Sequence, residues 1–81
     1  MVSPAGDAIA ILDVRGLLCP IPILRTAQRM RELEPGARLE VVGDDPGIVE
    51  DMPVWCEETG NRLLGLERDG ALVRCLVEKK S

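Results

Sequence analysis

A chain of 81 residues has room for one domain around one modest core. With 46% hydrophobic and 30% charged residues it has the balance of a folded globular protein, and a net charge of −4 argues against nucleic acid as a direct ligand, since phosphate binding needs a basic surface. No apolar stretch approaches the ~18 residues of a membrane span, and Met1 to Leu12 lack the basic lead-in and apolar stretch of a signal peptide. The sequence therefore reads as a cytoplasmic protein without membrane contact, a single domain over residues 1–81.

Residues 1–7, with Ser3, Pro4, Gly6 and Asp7, read as a frayed tail. Residues 8–14 form a near-continuous apolar run, suited to a strand covered on both faces or paired centrally, and Gly16 ends it. Cys19-Pro20-Ile21-Pro22 follows. Proline fits the first turn of a helix, where its missing N–H would have no intrahelical partner. A helix is expected from Pro20 to about Leu33, with Ile23, Leu24, Ala27, Met30 and Leu33 on its apolar face. Glu34-Pro35-Gly36-Ala37 has the residue order of a type II turn. Residues 38–42 form a second strand with Leu39 and Val41 on one face.

Asp45 is the expected N-cap of a second helix that opens with Pro46. Ile48, Val49, Met52, Trp55 and Cys56 form its buried face. Pro53 should kink or split that helix, with Asp51 capping the second piece, and Gly60 should end it. Residues 62–68 and 71–78 read as strands joined by an Asp69-Gly70 hairpin turn, which pairs Leu66 with Val73 and Leu64 with Cys75. The order β-α-β-α-β-β in so short a chain favours an α+β fold. The economical form is a two-layer sandwich with a mixed four-stranded sheet and both helices on one face.

Histidine is absent, which removes a Cys–His dyad, a Ser–His–Asp triad and most zinc sites with nitrogen ligands. Cys19, Cys56 and Cys75 form no C-x-x-C pair, and their spacing matches no usual metal motif, so neither a disulfide framework nor a metal is expected. Cys19 sits where a helix begins, facing free N–H groups and the positive end of the helix dipole. That placement predicts a thiol more acidic than the ~8.5 of a free cysteine. Gly16, Pro20 and Pro22 shape the loop that presents it. Cys56 and Cys75 fall on apolar faces and read as core, with a resolving thiol as the alternative for Cys56. Trp55 fits either a cap on the core or a surface anchor for a partner. Arg25, Arg29 and Arg31 spread over the outer side of the first helix, as a solvated face or a docking stripe for an acidic partner. Arg15 precedes the Cys19 loop and could join that docking surface.

Taken together, these residues resemble the TusA/SirA family of small sulfur-carrier proteins, YedF-like relatives included. The matching pieces are Leu12-Asp13-Val14-Arg15-Gly16-Leu17, Cys19-Pro20-Ile21-Pro22, Glu34-Pro35-Gly36, Asp44-Asp45-Pro46 and Asp69-Gly70, in family order over roughly residues 11–79. The resemblance implies a sheet order of 1-2-4-3, as in the C-terminal domain of translation initiation factor 3. It also implies a covalent carrier of sulfurtransferase type, not a free-standing enzyme, that holds sulfur as a persulfide on Cys19 and needs no cofactor. The implied partners are a persulfide donor such as a cysteine desulfurase and a downstream acceptor protein serving tRNA thiolation, sulfur oxidation or cofactor sulfuration. Leu18 and Ile21 depart from the basic and acidic residues common at these places in the tRNA-thiolation branch, which makes the site less charged. A second reading of different class remains open: a non-covalent regulatory or interaction domain whose cysteine is structural.

Overall fold

The computed structural model describes residues 9–80; the tail expected at residues 1–7 lies outside the described residues. The elements are β1 (Ile9–Asp13), α1 (Ile21–Arg31), β2 (Arg38–Gly43), α2 (Gly47–Thr59), β3 (Arg62–Asp69) and β4 (Leu72–Glu78). They form a four-stranded sheet in the order β1-β2-β4-β3. β1 and β2 run parallel, and β4 is antiparallel to both of its neighbours. The mixed sheet and α+β class expected from the sequence are therefore present. Strand residues alternate, so one face of the sheet supplies Leu39 and Val41 from β2 and Val73, Cys75 and Val77 from β4. Val14, Met30, Ile48, Met52 and Cys56 close over them from the loop and the two helices. With no aromatic beyond Trp55, the core is aliphatic. Burying a side chain such as Leu39 or Ile48 contributes about 1.5–3 kcal/mol.

Several expectations are corrected by the packing. β1 is an edge strand, not a central or doubly covered one, and Ile11 is 67% exposed. The described residues form two helices, and both are used on the other face. α1 begins one residue after Pro20 and ends at Arg31. Its buried row is Pro22, Thr26 and Met30, four residues apart, while Leu24 is exposed. Thr26 is accepted in the core because its hydroxyl donates to the Pro22 carbonyl at 2.8 Å.

In α2, Pro53 neither ends nor splits the helix. Pro53 is exposed, while Met52 and Cys56 are buried and hold the helix on either side of the missing N–H to the sheet. Gly60 ends α2 as expected, at a φ of 83° and with its N–H donated to the Cys56 carbonyl at 2.9 Å.

The β3–β4 hairpin turns on Gly70-Ala71, since Asp69 lies opposite Leu72. An Asp69-Gly70 turn of type I′ needs positive φ at both residues. Among the described residues only glycines have it, and Gly70 alone supplies it here, at 62°. The register moves accordingly: Leu66 faces Cys75, Arg68 faces Val73, and a bulge between Leu63 and Gly65 carries Leu64 out of the core.

Both buried cysteines of the core are packing residues, and burial pushes the Cys56 and Cys75 thiols up to about 11. The folded state therefore keeps protons that the unfolded chain releases at ~8.5. The resulting stabilisation is whole below that value and lost as pH rises through 11. With no tyrosine in the chain, these thiols dominate alkaline titration of the core. The urea midpoint should hold up to about pH 8.5 and fall above it, and Cys75→Val, which cannot ionise, should flatten the fall; chemical denaturation followed by circular dichroism across that range checks both.

Candidate functional site

The parallel pairing of β1 and β2 decides where Cys19 lies. Both strands end at the same edge of the sheet, so the loop before α1 and the loop before α2 meet there. The first loop leaves β1 through a turn in which the Leu17 N–H reaches the Val14 carbonyl at 3.3 Å. Gly16 supplies the φ of 83° which that turn requires. Asp44 and Asp45, at the start of the second loop, then take hold of the first. Asp44 Oδ1 accepts the Gly16 N–H and Asp45 Oδ2 accepts the Cys19 N–H, each at 2.9 Å. Asp45 is the cap that the sequence predicts for α2. Instead Pro46 occupies the cap position of α2 with no side-chain cap, and the acids bridge between loops.

The surroundings of the sulfur also differ from the expectation. The start of α1 has no N–H left to offer: that of Ile21 goes to the Leu18 carbonyl at 2.9 Å, Pro22 has none, and that of Ile23 goes to the Pro20 carbonyl at 3.1 Å. Cys19 rests against the start of α2 instead. A Cβ on Gly47 would stand 3.1 Å from Cys19 Sγ and 3.1 Å from Asp45 Oδ2, so a hydrogen at that position is what lets the sulfur sit so close to the helix. The thiol is half-buried. Burial first, and then the Asp45 and Asp51 carboxylates as hydrogen-bond acceptors and as like charges, push it up to about 12. The acidic thiol predicted from the helix terminus is overturned, because the nearest charges are negative and the N–H groups of α1 are spent. The same contact holds the Asp45 carboxyl below the usual range, through hydrogen bonds from the Cys19 side chain and backbone.

The remaining site residues are dispersed. Pro20 is exposed and precedes α1, and the Cys19–Pro20 peptide is cis. Pro22 is a buried helix residue, not a loop residue. Arg15 is turned back on Asp13, with Nη2 to Oδ2 at 2.9 Å and Nε to Oδ1 at 3.0 Å, and it holds the Asp13 carboxyl down to about 2. Arg25 and Arg31 are exposed on α1, and Arg29 pairs with Glu32 at 2.9 Å. Trp55 is half-buried against the core and shares a shallow groove with Met30, Arg31 and Lys80, towards the far end of the helices from Cys19.

Two features went unseen in the sequence. One is the group Asp45, Gly47 and Asp51 around the sulfur. Pairing the ends of two parallel strands would have located it. The other is an apolar rim beside Cys19, where Leu18 is 72% and Leu24 54% exposed and Ile21 stands between them.

A half-buried thiol, held at the carboxyl ends of two parallel strands and rimmed by exposed leucine and isoleucine, defines a small α+β protein that offers one sulfur at its surface. The family pattern described as Sulfurtransferase TusA matches residues 10–79, and the chain belongs to that family. It is 39% identical over 72 residues to the putative sulfur carrier protein YrkF of Bacillus subtilis, covering 89% of this chain and 39% of YrkF. It is 37% identical over 70 residues to a putative sulfur carrier protein of Aquifex aeolicus, covering 86% of this chain and 36% of that one. The chain thus spans well under half the length of these two relatives. Against the sulfur carrier protein TusA of Allochromatium vinosum it is 37% identical over 68 residues, 84% of this chain and 90% of the relative. The crystal structure of a SirA-like protein from Desulfitobacterium hafniense superposes with a TM-score of 0.75 at 23% identity, over 91% of this chain and 100% of that one, and shows the same fold.

The carboxylate surroundings set an expected pH profile. Alkylation of Cys19 by iodoacetamide in the native protein should be slow at neutral pH and accelerate with a midpoint well above the ~8.5 of a free thiol. Rates followed by peptide mapping separate Cys19 from the buried Cys56 and Cys75; a midpoint below the free value would contradict this seating of the sulfur.

Proposed function

We propose that the chain is a cytoplasmic sulfur carrier that holds sulfur as a persulfide on Cys19. The observation that carries this reading is the placement of one half-buried cysteine in a braced loop with an apolar rim, in a chain of the TusA family. Core packing takes up the other two cysteines, so sulfur chemistry falls to Cys19.

In the proposed transfer, the Cys19 thiolate attacks the outer sulfur of a donor persulfide. A new S–S bond forms at Cys19, the donor's S–S bond breaks, and the donor thiolate leaves with the bonding pair and takes up the proton that Cys19 released. The net exchange is a thiol and a persulfide for a persulfide and a thiol, with no outside oxidant. Delivery repeats the step towards an acceptor. A cysteine desulfurase is the proposed donor, and an acceptor protein in tRNA thiolation, sulfur oxidation or cofactor sulfuration the proposed recipient. Leu18, Ile21 and Leu24 give the partner a surface that sheds water on contact. The half-buried seat of Cys19 against the Asp45 carboxylate is the observation that favours the other reading, a non-covalent interaction domain.

Mass spectrometry separates the two. After incubation with a cysteine desulfurase and cysteine, intact protein should gain about 32 Da per sulfur. Cys56→Ser and Cys75→Ser proteins should load, and Cys19→Ser should not. Equal loading of Cys19→Ser would remove the carrier reading.

Docking is assigned to the α1 arginines. Arg25 and Arg29 lie four residues apart, on one side of the helix that Cys19 precedes. Arg25→Glu combined with Arg29→Glu should slow loading by the donor about tenfold at low salt. The cost to stability should stay within about 0.5 kcal/mol per site. Transfer rates at low and high salt, with thermal melting as control, test it; loading at the wild-type rate would make the stripe an ordinary solvated face.

A further inference from the structure

Asp45 meets Cys19 twice. Its Oδ2 accepts the cysteine's backbone N–H at 2.9 Å, across a sequence separation of 26 residues. Its carboxylate also accepts a hydrogen bond from the Cys19 thiol, and the same oxygen and the sulfur flank Gly47, each 3.1 Å from the point where a Cβ on that residue would stand. The first contact places the cysteine. The second puts a negative charge at the atom that must itself become negative in order to react. We propose that Asp45 is a positioning and guarding residue for sulfur transfer: it anchors the Cys19 loop to the start of α2 and, seconded by Asp51, withholds the sulfur from small reagents. This inference rests on the sulfur-carrier reading and adds to it a selectivity for protein donors over free sulfur species.

The charges around the sulfur point one way. From the loop before α2 comes Asp45, and from α2 itself Asp51. In Cys19's own loop the charged residue is Arg15, whose guanidinium is committed to Asp13 at 2.9 Å. Asp44 is committed to the Gly16 N–H. The opening turn of α1, Ile21 to Leu24, carries no charge. A thiolate formed in this seat would have two carboxylates beside it, and among the described residues neither is paired with a cation. The resting thiol is therefore stable towards electrophiles, and a partner that moves Cys19 from the seat, or screens the carboxylates, makes it a nucleophile.

Inorganic polysulfide is a donor without a docking surface and serves as the probe. Its outer HS group moves to the Cys19 thiolate, the S–S bond behind that group breaks, and the shortened polysulfide leaves with the bonding pair.

Asp45→Asn separates anchor from guard, because the amide oxygen still accepts the Cys19 N–H while the charge is gone. A purely structural Asp45 makes Asn equivalent to wild type. The guarding role predicts that the alkylation midpoint of Cys19 falls by at least about one pH unit. Persulfide formation from polysulfide at pH 8 should then rise about tenfold, in proportion to the thiolate fraction. Asp51→Asn, at an exposed position, should move both readouts in the same direction and decides the matter if Asp45→Asn melts early. A folded Asn variant whose alkylation profile and polysulfide loading match wild type overturns the inference. Wild-type protein that takes up no sulfur from a cysteine desulfurase overturns instead the carrier reading beneath it, and the two failures are seen in different measurements.

Discussion

The two hydrogen bonds that Asp44 and Asp45 accept from Gly16 and Cys19 hold this molecule's working end together. Each joins the loop after β1 to the loop after β2, across 28 and 26 residues of chain. Neither loop contains regular structure that would fix it alone. The pairing depends on β1 and β2 being parallel, since only then do both loops leave the sheet at one edge. It depends as well on Gly16, whose positive φ turns the chain so that its own N–H points at Asp44. Anionic acceptors on neutral backbone donors make strong bonds and leave net negative charge where they form. The geometry that presents the cysteine and the electrostatics that quiet it thus have one source.

Much of the fold was legible in the sequence because short-range rules govern it. The prolines that precede the two helices, Pro20 and Pro46, the Pro35-Gly36 turn and the Gly60 stop each follow from the φ that one residue prefers. The apolar face of α2 followed from spacing. Elements that depend on competition between distant parts were read less well. The run 8–14 is apolar enough for a central strand, yet the supply of helices leaves its outer face bare. Leu24 has the spacing of a core residue, but Pro22 and Thr26 occupy the buried row, and Thr26 enters it only because its hydroxyl finds the Pro22 carbonyl. In the closing hairpin one backbone torsion at Gly70 moved the turn by one residue, and the bulge at Leu64 was then needed to return leucine to the core at Leu63.

The candidate site divides in the same way. That Cys19 is its centre came from its own neighbours in sequence. That its thiol is pushed up rather than down came from residues more than twenty-five positions away, and from the spending of the α1 N–H groups on Leu18 and Pro20 carbonyls. A dipole argument applied to one helix was sound in principle. It failed here because the sulfur lies against the other helix, in company with two carboxylates.

The motif Cys19-Pro20-Ile21-Pro22 alternates in what it faces. Pro22 is buried and belongs to the core, while Pro20 and Ile21 stand outward beside the half-buried cysteine. Structural and external demands therefore fall on different letters of the same four-residue word. The second proline answers to the interior, and the residue between the prolines answers to whatever arrives from outside. Leu18, just before the motif, is equally free of the interior. Positions 18 and 21 can therefore change in size and charge without disturbing the packing that presents the sulfur.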